Sequence, residues 1–382
     1  MTSPQARHSD PITGILCLVA GLAVFSIQDV VVKLLSGTYA VHQVLAMRSL
    51  TALPLFLLFA WRDGGLGQLT TGNIGAMFLR GAVMFFAFTC YYLALASLPL
   101  ATSVALYFTA PLFIMMLTVL MLGEPVGPTR WAAVAVGFAG TIVIVQPGAT
   151  TFDLAVVLPI LAAFFYAASQ IVARRHAAAG NAVTFSFHAN MAFLLGASLA
   201  GLFLGHGGFE GQSHPSLAFL LRPWTLPPLG DLLLMMLCGV VSATGSTLLA
   251  QAYRVASPPA VAPFEYSAIV WSVLNGYLFW GDLPAATTWA GIAIIVAAGL
   301  YVLTAERHPT HLNRDRHRPA PVQSSNGSFI RMVSSRSGLV DSSVIGHSMS
   351  CSIVLMYLTA WAGRSAQDRA PRVDCVHPWK IS

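Results

Sequence analysis

Residues 100–122 read LATSVALYFTAPLFIMMLTVLML, a run of 23 residues without a charged side chain. A helix of about 20 apolar residues can cross the ~30 Å hydrocarbon core of a bilayer. Nine similar stretches surround it, separated by glycine and proline turns. The ten predicted segments are 12–35, 41–61, 74–97, 100–122, 130–147, 154–173, 184–205, 231–254, 258–281 and 285–304. We therefore expect an all-α integral membrane protein with ten transmembrane helices.

The composition of the chain supports a lipid bilayer as its surroundings. Charged residues make up 9% of the 382 residues and apolar residues 56%, with a mean hydropathy of +0.71. Soluble globular proteins carry about 25% charged residues. The basic residues before position 306 are scattered at segment ends rather than gathered in one patch with aromatic residues, which argues against a nucleic-acid partner.

The ten segments form two consecutive units of five, at 12–147 and 154–305. Phe25 matches Tyr166 at an offset of 141 residues, and Gly123 matches Gly281 at an offset of 158. The long loop 206–230 accounts for the increase of the offset from 141 to 158 residues. A unit with an odd number of crossings ends on the opposite side of the membrane, so the second unit is inverted. Inverted repeats build a binding pocket near the bilayer midplane that opens alternately to either side.

The distribution of arginine predicts which side of the membrane each loop occupies. Cytoplasmic loops carry an excess of basic residues. A cytoplasmic N-terminal lead, residues 1–11, leaves Arg222 as the clear exception on the exterior. The arginines that this orientation places on the cytoplasmic side are Arg7, Arg62, Arg130, Arg174, Arg175, Arg254 and Arg307. With ten crossings, both termini are cytoplasmic.

Five charged residues fall inside the predicted segments: Asp29, Lys33, Arg48, Arg80 and Glu265. A charge at mid-bilayer costs about 2.5–3.5 kcal/mol on insertion scales, so it faces a partner or a cavity. Asp29 and Lys33 are four residues apart and share a helix face, which allows an ion pair. Structural pairing and snorkelling remain alternatives for Asp29, Lys33 and Arg80. Arg48 and Glu265 are interpreted as lining the substrate pathway.

Two prolines mark the fourth and ninth segments as candidate walls of the pathway. Pro111 and Pro263 each lie inside one of these segments, which correspond in the two units. Proline removes a backbone hydrogen bond and kinks a helix. The aromatic residues Tyr107, Tyr266 and Trp271 stand nearby and could stack on a flat substrate. A packing kink without a site is the simpler alternative.

Two stretches resemble the EamA family of the drug/metabolite transporter superfamily. They are GLAVFSIQDVVVKLLSGTYAVHQVLAMRSL at 21–50 and AYRVASPPAVAPFEYSAIVWSVLNGYLFWGDLPAATTWAGIAIIVAAGLYVL at 252–303. The resemblance implies a ten-helix carrier of a small organic metabolite in a bacterial inner membrane. It does not specify the substrate or the direction of transport.

The resemblance also extends to individual residues of the family pattern. Lys33 and Arg48 match the basic residues of the first hairpin, and Glu124 and Asp282 match the acidic residue after the fourth helix of each unit. We interpret Glu124 and Asp282 as solvated helix ends. Asn190 stands where the second unit would repeat Arg48, so we expect an asymmetric pocket.

Two other classes of protein were weighed against a secondary transporter. A membrane-embedded enzyme for lipids would need clustered His, Asp, Glu or a nucleophile with its base. Such motifs are absent from the sequence, as is a phosphate-binding loop for ATP. A non-transporting scaffold would not need charges inside the membrane. We expect no enzymatic activity, cofactor or metal; protons are the candidate coupling ion, and homodimerisation is left open.

Residues 306–382 differ from the rest of the chain. They contain 10 basic and 5 acidic residues and show no sustained helical period. The apolar run 353–362 is too short to cross a bilayer. We predict a disordered tail. We also consider it a non-native extension, because it matches neither repeat.

Overall fold

The computed structural model describes residues 11–62, 64–70, 72–123, 127–147, 153–176, 182–208, 211–256 and 261–307. The expectations for residues 1–10, for Glu124 and for the tail from 308 onward lie outside these residues. Every regular element in the described part is helical. The α-helices are α1 Pro11–Leu35, α2 Val41–Arg62, α3 Ile74–Ser97, α4 Leu100–Tyr107, α5 Ala110–Leu122, α6 Pro128–Val145, α7 Val157–Arg175, α8 Ala182–Leu204, α9 Pro215–Leu221, α10 Leu229–Val255, α11 Ser267–Trp280 and α12 Ala286–Arg307.

Seven helical stretches of the described residues are long and apolar enough to cross a membrane. They are Pro11–Leu35, Val41–Arg62, Ile74–Ser97, Leu100–Leu122, Leu154–Arg175, Val183–Leu204 and Leu229–Tyr253. The fourth combines α4 and α5, and the fifth combines a 3₁₀ turn with α7. The remaining predicted segments correspond to α6, α11 and α12, whose apolar lengths are shorter.

Local chemistry explains several helix ends. Gly123 and Gly281 end α5 and α11 in the left-handed region, with φ of 67° and 71°. Glycine adopts that conformation without steric cost, which makes it the usual residue after a helix. At the start of α3, the side chain of Asn73 accepts a hydrogen bond from the amide of Ala76 at 3.0 Å. These ends lie within a few residues of the predicted boundaries.

Close helix crossings hold the bundle together. The α6–α12 pair meets at Gly140 and Gly291, where a Cβ on Gly291 would lie 2.7 Å from the carbonyl oxygen of Gly140. A Cβ on Gly14 of α1 would similarly lie 2.4 Å from Cβ of Ala256, at the end of α10. Helices in lipid associate through such small residues because lipid provides no hydrophobic drive between them.

The two prolines lie in the fourth and ninth predicted segments but in different local structures. Pro111 lies in the first turn of α5, after a break at Phe108 and Thr109 that separates α4 from α5. Pro263 lies in a 3₁₀ turn, Ala262–Tyr266, that precedes α11. Pro111 stands 12 residues before Gly123, whereas Pro263 stands 18 residues before Gly281. Six helical residues span ~9 Å, so the α4–α5 break and the 3₁₀ turn lie at different distances from the glycine that ends each segment.

The inserted loop folds into a segment, residues 211–228, that fastens to the first half of the chain. It includes α9. The side chain of Arg222 donates to the backbone oxygens of Ser36 and Tyr39 at 2.8 and 3.2 Å. The amide of Gln43 and the backbone of Thr225 exchange two hydrogen bonds of 2.6 and 3.3 Å. The segment therefore covers the α1–α2 turn.

Candidate functional site

A cavity of about 540 Å³ lies inside the bundle. Its walls come from α1, α2, α3, the α4–α5 break, α7, α8, α10 and the turn that begins at Ala262. Helices from both halves of the chain therefore enclose it. Six of the predicted pathway residues line this cavity: Asp29, Arg48, Arg80, Tyr107, Pro111 and Glu265.

Arg48 is held firmly in the wall of the cavity. Its side chain is only 6% exposed, and its guanidinium lies 5.0 Å from the ring centre of Phe88 and 5.1 Å from that of Phe193. Nη2 donates to Oγ of Ser242 at 2.7 Å. Nε is buried and has no hydrogen-bond partner. The two phenylalanine rings and Ser242 fix the orientation of the guanidinium, while its Nε–H has no hydrogen-bond partner.

Asp29 begins a series of aromatic contacts that cross the cavity wall. Its carboxylate accepts a hydrogen bond of 3.0 Å from the hydroxyl of Tyr91. The rings of Tyr91 and Tyr107 are 5.3 Å apart, and those of Tyr107 and Tyr166 are 5.6 Å apart. The Tyr166 hydroxyl accepts a 2.8 Å hydrogen bond from Gln170. The tyrosines provide ring faces together with polar tips, which suits a flat, partly polar ligand.

Arg80 and Glu265 contribute the other two charges of the cavity. The Arg80 guanidinium lies 5.4 Å from the ring centre of Phe185, and its buried Nε has no hydrogen-bond partner. The Glu265 carboxylate accepts a hydrogen bond from the hydroxyl of Tyr253. Both side chains thus have aromatic neighbours. No ion pair between the four cavity charges is recorded in the described part of the chain.

Lys33 does not pair with Asp29, although the four-residue spacing permits it. Nζ of Lys33 donates to the backbone oxygen of Leu98 at 2.5 Å and lies 5.3 Å from the ring centre of Trp280. These groups stand at the ends of α3 and α11. The lysine therefore extends toward the helix ends, as snorkelling predicts. Lys33 does not line the cavity.

Three other predicted pathway residues also lie outside the cavity lining. The ring of Tyr266 packs against Phe108 at 5.0 Å and approaches Gly299 of α12. Trp271 is partly buried on α11, with an unpartnered Nε1. Pro263 precedes Glu265 in its 3₁₀ turn. Tyr266 therefore helps to pack α11 and α12 rather than to contact a ligand in the cavity.

Several lining residues were not singled out from the sequence, although the repeat offset indicates two of them. Adding 141 to Asp29 gives Gln170, and adding 142 to Arg48 gives Asn190; both line the cavity. A neutral residue that occupies the repeat position of a cavity charge is thus a candidate for the cavity lining. Ser242 and Phe193 carry no such signal, since their role depends on contact with Arg48.

Comparison with known proteins shows what the chain is similar to. Residues 12–146 match the model of the EamA-like transporter family. The riboflavin transporter of Rhizobium johnstonii is 29% identical over 80% of this chain and 95% of its own length. The S-adenosylmethionine uptake transporter of Rickettsia prowazekii is 25% identical over 78% and 94%, respectively. The similarity of this chain is thus to EamA-like and related metabolite transporters.

Two further similarities point the same way. The pseudopaline exporter of Pseudomonas aeruginosa is 28% identical over 75% of this chain and 94% of the relative. One crystal structure shares the fold with a TM-score of 0.51 at 18% identity, covering 78% of this chain and 98% of the other. The chain has several helices long and apolar enough to cross a membrane, and it is similar to bacterial transporters of small molecules.

Proposed function

We propose that this chain is a secondary transporter that moves a small organic metabolite through the central cavity by alternating access. The observation that carries the proposal is the charged cavity itself, which helices from both halves enclose. Ionisable groups inside a membrane are costly and characteristically mark a substrate or ion pathway. A non-transporting scaffold offers no reason for four such groups to share one cavity.

The architecture that we propose is ten crossings in two inverted repeats. Exchange of the repeats replaces α1 by α7, α2 by α8, α3 by α10 and the α4–α5 pair by α11. Under that exchange the contact of α1 with α10 becomes the contact of α7 with α3, and both are extensive. The contact of α2 with α10 likewise becomes that of α8 with α3, which is also present. This correspondence supports the boundaries 12–147 and 154–305.

For the remaining three crossings, we assign α6, α11 with its preceding turn, and α12. The α6–α12 contact is extensive and maps onto itself when the repeats exchange. The arginine pattern supports cytoplasmic termini and insertion in the inner membrane. A reporter that is active only in the cytoplasm should work when fused after Arg307. It should be inactive when fused at Gly211, within the covering segment, and the opposite result would reverse the topology.

The substrate class follows from the cavity rather than from one relative. The relatives are named for three different molecules and for both uptake and export. All three are named as transporters, which supports a non-enzymatic role. Asp29 and Glu265 are our candidates for proton coupling, because a carboxylate in the cavity can gain and lose a proton. One chain encloses the whole cavity, so the mechanism does not require a homodimer.

Alternating access can be tested without knowing the substrate. In a chain with all five native cysteines replaced, Ser246→Cys places one thiol on the cavity wall. A charged, membrane-impermeant maleimide should label it both in right-side-out and in inverted vesicles. Leu199→Cys, on an exposed apolar face of α8, is the matched control and should resist this charged reagent from either side. Labelling of Ser246→Cys from one side only, or from neither, would contradict alternating access.

A further inference from the structure

The two arginines in the cavity have hydrogen-bonding capacity that the protein leaves unused. Nε of Arg48 and Nε of Arg80 are both buried and unpartnered. A buried donor without a partner is destabilising, and more so when the group is charged. A guanidinium stays ionised under all physiological conditions, so protonation changes cannot relieve this cost. A ligand that enters the cavity and accepts a hydrogen bond from a guanidinium relieves the cost.

Arg48 is the better placed of the two for a specific ligand. It is more than nine-tenths buried, and the rings of Phe88 and Phe193 hold its guanidinium in place. Close contact between helices adds to this rigidity, because a Cβ on Gly239 of α10 would lie 2.5 Å from the backbone oxygen of Arg48. A guanidinium held in this way presents a fixed fork, which matches the geometry of a carboxylate.

Neither carboxylate of the cavity is hydrogen-bonded to the guanidinium of Arg48. Asp29 is near enough to interact electrostatically with Arg48, but its hydrogen bond goes to Tyr91 and no ion pair joins it to Arg48. Glu265 is hydrogen-bonded to Tyr253 on α10. Among the described residues of the cavity, no carboxylate therefore forms an ion pair with Arg48.

The surrounding wall specifies the rest of the ligand. The rings of Tyr91, Tyr107 and Tyr166 follow one another along the wall, each tilted by 56° to the next. Oε1 of Gln28 is buried and unpartnered, while its Nε2 donates to Tyr92, so the wall also offers one free acceptor. A volume of about 540 Å³ falls within the range of sites for small metabolites.

We propose that the cavity selects organic anions that combine a flat ring with a carboxylate, and that Arg48 binds the carboxylate. The inference rests on the proposed function, because it assigns a substrate class to the same cavity. The free oxygen of Gln28 accepts an N–H or O–H of the ring, and the tyrosines stack on its face. Arg80 balances the second carboxylate of the cavity, so the preference for an anion depends on Arg48.

Four indole compounds test this assignment because they share a ring and differ in charge. They are indole-3-acetate, its neutral amide indole-3-acetamide, the cation tryptamine and the zwitterion tryptophan. Calorimetric titration of the purified full chain should give an affinity for indole-3-acetate about tenfold or more above those for the amide and the amine, as loss of a charge-assisted hydrogen-bonded pair predicts. Equal affinity for the amide or the amine, tightest binding of tryptophan, or no binding of any of them would overturn the inference.

Substitutions at Arg48 separate the charge from the geometry. Arg48→Gln should abolish the preference for the acid over the amide, while Arg48→Lys should retain only part of it. Arg62→Gln, at the exposed end of the same helix, is the control and should keep the full preference. A full preference in folded Arg48→Gln would overturn the inference.

The comparison of the four compounds on the unaltered chain does not depend on the folding of any variant. If Ser246→Cys is labelled from both sides, the transport proposal holds whatever the four compounds and the Arg48 variants show. Failure of the substrate class and failure of alternating access are thus distinguishable.

Discussion

At the residue scale, the sequence shows which charges enter the membrane, and the structure shows what each one contacts. Asp29 and Lys33 stand on the same helix, yet the carboxylate bonds to Tyr91 and the ammonium to the end of α3. Arg48 rests between two phenylalanines from different helices. The four charges that remain in the cavity belong to three helices of the first half and one turn of the second.

Glu265→Gln should lower transport by about tenfold or more while leaving membrane insertion intact, because a charge in the pathway is lost. The amide oxygen of glutamine can still accept the hydrogen bond from Tyr253, so the local structure is kept. Uptake by proteoliposomes and the amount of protein in the membrane fraction measure the two effects. Asp282→Asn, which lies outside the cavity, should keep near-normal uptake. Full uptake with Glu265→Gln would remove this residue from the pathway.

Collapse of an imposed pH gradient tests whether protons drive this uptake. If Asp29 or Glu265 carries the proton, uptake should fall when the gradient is removed, since the free energy stored in the gradient is then lost. Asp29→Asn and Glu265→Gln, measured in parallel, should identify the residue whose loss removes the dependence. An unchanged rate in the unaltered chain would instead indicate facilitated exchange.

At the element scale, the helices pack through small residues whose role is invisible in any single segment. A Cβ on Gly291 of α12 would lie 2.3 Å from Cγ1 of Ile144 and 2.7 Å from the carbonyl oxygen of Gly140. Neither partner is near Gly291 in the sequence. Hydropathy alone identified α6 and α12 as apolar helices, but it gives no information about which glycines lie at a crossing.

Gly291→Ala should destabilise the protein by roughly 1–3 kcal/mol, because the added methyl group forces the helices apart. Gly230→Ala is the matched control: it lies in the first turn of α10 with no atom within 4 Å of the added Cβ. Thermal unfolding in detergent compares the two variants. A Gly291→Ala chain as stable as the control would show that the α6–α12 contact is looser than the structure indicates.

A second prediction at this scale concerns the attachment of the 211–228 segment. Asp153 accepts hydrogen bonds from the amide of Ala155 and from the ring of His214, at 2.8 and 3.0 Å. Burial alone would raise the pKa of the Asp153 carboxyl, but these two partners outweigh it and the pKa lies below its usual value. The stabilisation is present above the unfolded value of about 3.9 and is lost as pH falls through the lower folded value.

Asp153→Asn should therefore lower stability near neutral pH by less than ~1 kcal/mol, because the pair is partly exposed to solvent. Between about pH 5 and pH 3 the unaltered chain should become less stable as Asp153 is protonated, and the stability of the variant should fall less over the same range. Thermal unfolding across this range measures both effects. Identical acid dependence in the two proteins would show that the contact does not contribute to folding.

At the scale of the whole molecule, helices from both halves of the chain enclose an asymmetric cavity. Asp29 and Arg48 line it together with Gln170 and Asn190, which occupy the matching positions of the proposed repeats. Charge is therefore concentrated on the first half, while the second contributes amides and Glu265. The inserted 211–228 segment adds to the asymmetry, since it covers the α1–α2 turn and the matched region of the first repeat has no insertion.

Truncation after Arg307 should leave transport within about twofold of the full chain, because the cavity is complete within the helices that end there. Uptake by membrane vesicles with equal protein content measures the effect. Loss of transport by a correctly inserted, truncated chain would show that the tail has a functional role.

The sequence by itself determined the membrane class, the position of most helices and the identity of the buried charges, because these depend on apolar length and composition along the chain. The repeat match also drew attention to Asn190, the counterpart of Arg48. Only the tertiary structure decided which partners those charges have, that Gln170 lines the cavity, and that Tyr266 and Trp271 lie outside the cavity lining. These features depend on packing between helices that are distant in sequence, and a single residue at a crossing can change them without altering the apolar pattern.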